Sequence, residues 1–189
     1  MILHIHQYSK SLGLRVKIEF VDDNDVEKVK RLRSALKSSD RLIWMDYGLS
    51  VTKETMQGVF LKIPVGLEGL VFPAPVKDVV DWDTFATEVK KNTTEPLDQI
   101  AINFDTTVGT KQYIPGMIYE VKNTRPQIWT CDSNKVLKKL KGVENIKFMS
   151  DFFSKSGARW GAVVDTKVNT YFTHECIGNI LNMPGVLMT

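Results

Sequence analysis

Between residues 14 and 46 the hydrophobic period of the chain changes twice, and that change narrows its fold more than any other feature. Leu14 to Val21 (LRVKIEFV) alternates apolar and polar side chains, the two-residue period of a strand with one covered face. Val26, Val29, Leu32 and Leu36 then recur at helical spacing, with Lys28, Lys30, Arg31, Arg33 and Lys37 on the remaining faces. The cluster Asp22-Asp23-Asn24-Asp25 supplies a cap and negative charge for the helix's positive end. After a break at Ser38-Ser39-Asp40 comes Arg41 to Asp46 (RLIWMD), read as a buried strand whose last residue meets solvent. Strand, helix and strand in succession are the sequence form of an α/β layer architecture.

The rest of the chain continues the alternation. Helices are expected over Thr52–Leu61, with Thr52 as cap, and over Asp81–Lys91, Asn134–Lys141, Asn145–Ser156 and Cys176–Asn182. Strands are expected at Gly66–Phe72, Ile128–Cys131, Trp160–Asp165 and Val168–His174. Asn92 to Gly116, rich in Thr, Asp, Gly and Pro, reads as loops around a short strand near Ala101–Phe104. Gly157 reads as a helix stop. Ile43, Trp44, Val71, Ile128, Trp129, Val163, Val164 and Phe172 lie in strand-like runs and are expected mainly in the core. The length of 189 residues suits a single domain over 1–189.

Composition removes several classes. With 25 basic against 22 acidic residues the charge is too balanced for a nucleic-acid footprint. A hydrophobic fraction of 43% excludes disorder. Cys131 and Cys176 are too few for a disulfide framework, which points to a reducing compartment. No apolar run approaches the roughly 20 residues of a spanning helix. Met1-Ile2-Leu3-His4-Ile5-His6 has no basic start and does not read as a signal peptide. His4 and His6 read as alternate residues of a terminal edge strand. The expectation is a soluble protein in the cytoplasm of the producing or host cell.

Two constellations can carry chemistry. Asp46, in Trp44-Met45-Asp46-Tyr47-Gly48, ends a strand; at the carboxyl end of a strand in an open α/β sheet it would face the ligand crevice. A carboxylate there can hold a divalent cation, or it can simply cap the next helix. Asp151 and His174, 23 residues apart, would return to one sheet edge as base and metal ligand. Their plainer roles are a helix-entry carboxylate and a strand-end histidine. Trp82, at a helix start after a Pro-rich loop, can stack on a sugar or pack on the core. Asp105 can also face the crevice. Lys135, Lys138, Lys139 and Lys141 read as a solvated helix face.

Taken together, these segments resemble glycosyltransferases of the GT-A fold. Ala35 to Val51 (ALKSSDRLIWMDYGLSV) is similar to the stretch leading into their metal-binding Asp-x-Asp motif. Ser150 to His174 (SDFFSKSGARWGAVVDTKVNTYFTH) is similar to their later acid-containing segment. Tyr171 to Val186 also resembles glycosyltransferase-like proteins of large DNA viruses. The resemblance implies a mixed sheet flanked by helices and sugar transfer from a nucleotide-sugar donor to a glycan or protein acceptor. It implies a Mn or Mg ion held by Asp46 and His174, with Asp151 as general base and Arg31 or Arg33 near the nucleotide. Asp46-Tyr47-Gly48 has one carboxylate where the family has two, so a cation would also need the donor diphosphate and water. Residues 1–13 are short for the family's opening βα unit, which is expected to be missing. The rival expectation is a non-catalytic relative reused as an assembly component, for example in a virus particle.

Overall fold

A computed structural model describes residues 2–80, 102–141 and 146–170. In chain order the helices are α1 (Ile2–Ser11), α2 (Asp25–Ser38), α3 (Lys53–Gly58), α4 (Ser133–Leu140) and α5 (Met149–Lys155). The first five strands are β1 (Arg41–Met45), β2 (Leu49–Val51), β3 (Gly69–Val71), β4 (Pro75–Val80) and β5 (Ile102–Phe104). They are followed by β6 (Thr106–Ile114), β7 (Ile118–Thr124), β8 (Ile128–Asp132), β9 (Trp160–Val163) and β10 (Val168–Thr170). Six strands form one mixed sheet in the order β1-β8-β3-β9-β7-β6. Only β3 and β9 pair in parallel; the other four ladders are antiparallel. The pairs β2–β10 and β4–β5 form two small additional ladders.

The sheet is covered on both faces because its central strands are apolar on both. In β8, Ile128 enters one core while Trp129 and Cys131 enter the other, and in β3 Leu70 and Val71 divide the same way. One core joins Ile5 of α1 and Met56 of α3 to Leu70, Ile118, Ile128 and Val163. The other joins Val29, Leu32 and Leu36 of α2, Val136 of α4 and Phe152 of α5 to Trp129, Trp160 and Ala162. The result is an α/β architecture with a mixed sheet between helices. Gly69 makes one close approach possible: a Cβ there would lie 2.2 Å from Cζ3 of Trp160, whose ring lies against it.

Most expected elements form. Asn24 caps α2 by accepting from the Val26 and Glu27 amides, and Thr52 caps α3. Gly157, at φ 63°, follows α5. Of the expected core, Val71, Ile128, Trp129 and Val163 are fully buried. Ile43 and Trp44 are half-buried because β1 is an edge strand rather than a covered one, and Val164, just past β9, is 40% exposed. Phe172 lies outside the described residues, as do the helices expected at 81–91 and 176–182.

Three expectations are corrected. Leu14–Val21 belongs to no ladder, and Phe20 is 84% exposed. Its alternation favours an extended chain, but among the described residues no strand edge receives it. Residues 2–11 form a helix, not a strand: Ile5 and Ser9 share its inner face, and His4 and His6 are exposed. Much of the region read as loops up to Gly116 is β6, paired with β7 through a turn in which Met117 N donates to Ile114 O at 3.1 Å. Among the described residues no helix is long and apolar enough to cross a membrane.

Candidate functional site

Asp46 follows β1 and lines a cleft of about 240 Å³. Its backbone N–H donates to Gln127 O at 2.8 Å, which pins the strand end to the segment before β8. Trp44 Nε1 donates to Asp46 Oδ1 at 2.9 Å, so the carboxylate lies along the indole. The crevice rule that pointed to Asp46 concerns parallel sheets; here β1 is an antiparallel edge strand, and the cleft comes from helix ends closing over that edge.

Two cations accompany it. Lys28 comes from the first turns of α2 and Arg125 from the connection between β7 and β8. Lys28, expected on one of the remaining faces of the helix, instead sits four and eight residues before Leu32 and Leu36 on the stripe that faces the sheet, whereas Val26 of the expected stripe is 72% exposed. Burial opposes its charge, but a hydrogen bond to Asp23 and the nearby Asp46 and Asp25 carboxylates outweigh burial and raise its pKa. Arg125 precedes Pro126, which favours an extended backbone and carries the side chain off the sheet end. Its amide donates to Asp105 O at 2.9 Å, whereas no described side chain pairs with its guanidinium. Trp44, Phe148 and Phe153 give the cleft aromatic walls. Sequence reasoning missed both cations. The inward stripe could have shown Lys28; nothing local marks Arg125.

Asp151 lies in the first turn of α5, whose preceding residues Phe148, Met149 and Ser150 line the cleft. Its Oδ2 accepts from the Lys147 and Phe148 amides at 3.0 and 3.2 Å, and its Oδ1 lies 2.7 Å from Lys155 Nζ. Lys155 first, and the Lys147 amide second, hold this carboxyl below the usual carboxylate range. A carboxylate so held is a weak proton acceptor and a good helix cap. Arg31 pairs with Glu27 Oε1 at 2.8 Å on the exposed side of α2; Arg33 is exposed there too, and neither lines the cleft. Trp82 and His174 lie outside the described residues. The strand expected to carry His174 pairs with β2, and its last described residue, Thr170, stands opposite Leu49, three residues past Asp46.

Asp105 does not face the cleft. Its Oδ1 accepts from the Ala74 amide and the Thr106 hydroxyl, and its Oδ2 from the Gln127 amide, tying three segments together. Burial raises its pKa against those hydrogen bonds.

The described part of the cleft does not fit a divalent cation by itself. Among the described residues no group of three or more His, Cys, Asp or Glu side chains is placed to hold a metal. Asp25 and Asp46 are the lining carboxylates, and Lys28 already supplies positive charge to them. What the arrangement offers is two cations and two carboxylates between aromatic walls: the exposed Arg125 guanidinium suits phosphate oxygens, and the carboxylates suit neighbouring hydroxyls. No protein-family model, curated protein or solved structure matches the chain.

Proposed function

We propose that the Asp46 cleft binds a nucleotide sugar, in a glycosyltransferase-like domain of GT-A type. Lys28 and Arg125 take the diphosphate, Asp46 accepts a hydrogen bond from a sugar or ribose hydroxyl, and an aromatic wall packs on the base or sugar. The observation that carries the reading is the Arg125 guanidinium, which has no described side-chain partner and lines the same cleft as Lys28 and Asp46. In sugar transfer the leaving diphosphate gains charge, and fixed cations stabilise it more in the transition state than in the ground state. The likeness of 35–51 and 150–174 to the GT-A proteins supports the sugar-donor class, and the mixed sheet between helices is compatible with it.

A second reading, a non-catalytic relative within a protein assembly, draws support from Asp151, whose carboxylate is engaged as a helix cap. The two readings separate in one experiment. Thermal melting is followed with uridine and guanosine diphosphates and their sugar conjugates, with and without manganese, and donor hydrolysis is assayed in parallel. Stabilisation by the diphosphates, together with turnover, supports the transferase; stabilisation without turnover supports the non-catalytic relative. No stabilisation by any nucleotide overturns the cleft assignment.

A further inference from the structure

The cleft does not end at Arg125. Arg125, Ser150 and Phe153 also line a wider groove of about 530 Å³, which runs along β7 toward Arg159. Its cations are Lys122, Arg125 and Arg159, opposed by the carboxylate of Glu120. Lys122 and Arg125 are exposed. The side chain of Arg159 is 60% exposed, although its Nε lies 3.7 Å from Glu68 Oε2. Asn123 and Ser154 add uncharged donors and acceptors, and the half-buried Phe153 ring forms part of the wall.

We infer that this groove binds the second substrate of the proposed transfer, and that this substrate is an acidic saccharide. Its role as a substrate rests on the function proposed above; its acidic character rests on the groove's cations alone. Cations contributed separately by β7, by its end and by the segment before β9 suit carboxylates repeated along a chain. Amide and hydroxyl groups between them suit sugar hydroxyls, and an aromatic wall suits a C–H face of a ring. A nucleic-acid backbone would call for a denser positive field than three cations beside Glu120 in a nearly neutral chain. Arg125, Ser150 and Phe153 line both cavities, so the groove lies next to the donor cleft.

The test is calorimetric titration with a uronic-acid tetrasaccharide and with the same tetrasaccharide after carboxyl reduction. The acidic form is expected to bind at least about tenfold more tightly, the effect of losing one or more charge-assisted hydrogen bonds. The double variant Lys122→Gln, Arg159→Gln should lose about tenfold or more for the acidic form while uridine diphosphate binding stays unchanged; Lys122→Gln alone should weaken the acidic form at an unchanged melting temperature, since Arg159 also faces the buried Glu68. Equal binding of the two saccharides, binding indifferent to the double variant, or no binding of the acidic form overturns the inference. Saccharide binding that needs Lys122 and Arg159 in a protein that ignores nucleotides upholds the groove and overturns the transferase reading.

Discussion

Single carboxylates in this protein have opposite pH signatures, and the sign follows from what surrounds each one. Asp105 has a raised pKa, so the folded state holds its proton more tightly than the unfolded chain does. Its ionisation therefore subtracts stability as pH rises from the ordinary carboxylate range through the raised value, and the loss levels off above that. Asp151 is the reverse case: its pKa is lowered, so its contribution is full above the ordinary range and disappears as pH falls through the lowered value. Asp105→Asn should remove the first slope. It should also cost about 1–3 kcal/mol near neutral pH, because either amide orientation sets an NH2 group against an N–H or O–H donor. Urea unfolding at several pH values reads both effects; an unchanged slope would remove Asp105 from the account. Arg41 gives a third residue-scale prediction. Its guanidinium donates to Thr130 Oγ1 at 2.9 Å and to the Phe60 and Leu61 carbonyls at 3.2 and 2.6 Å, which ties β1 to the chain after α3. Arg41→Lys cannot reproduce that fork and should destabilise by about 2 kcal/mol in the same assay.

At the scale of elements, the close contact of β3 with β9 depends on having no Cβ at Gly69. Gly69→Ala would drive a methyl group into the Trp160 ring and the Thr130 carbonyl. The expected cost is about 1–3 kcal/mol by overpacking, read as a lower urea midpoint; a neutral result would show that the two strands can slide apart freely. Helix α5 depends on Asp151 at its start, so Asp151→Ala should speed amide exchange at residues 149–152, with Phe152 and Phe153 loosening against Trp129. The elements that were legible in sequence are those whose signals agree. In α2 the Asn24 cap, the acidic first turn and the Val29–Leu32–Leu36 stripe all say helix, and α4 has its Asp132 cap in the same way. Where one signal stood alone it misled. The alternation at 14–21 specifies an extended chain but names no partner, and the short apolar start of α1 fits a period of two as well as a helical turn. The β6–β7 hairpin was legible in principle, since Pro115-Gly116 separates two stretches rich in β-branched and alternating residues. Its polar, mostly exposed β6 hid it, as edge strands often do. The site follows the same rule: Asp46 was visible because it closes an apolar run, and Arg125 was not, because only the tertiary fold brings the β7–β8 connection beside α2.

On the scale of the whole molecule, the six-stranded sheet holds two cores apart and leaves the edge beyond β1 to be closed by the start of α2, the start of α5 and the segment at Arg125. Three separate parts of the chain thus meet at one cleft, and two of them bring a cation to the cleft that Asp46 lines. Calorimetric titration of uridine and guanosine diphosphates into the parent protein, Lys28→Gln and Arg125→Gln tests that convergence. Arg125 is exposed, so its variant should melt close to the parent; Lys28 is largely buried and bonded to Asp23, so Lys28→Gln is titrated at a temperature well below its own melting point. A diphosphate is expected to bind the parent, the corresponding monophosphate to bind more weakly, and each variant to weaken the diphosphate by about 10- to 100-fold, the worth of a charge-assisted contact. Diphosphate affinity that is the same in the parent and both variants, or no binding to the parent at all, would contradict the cleft assignment.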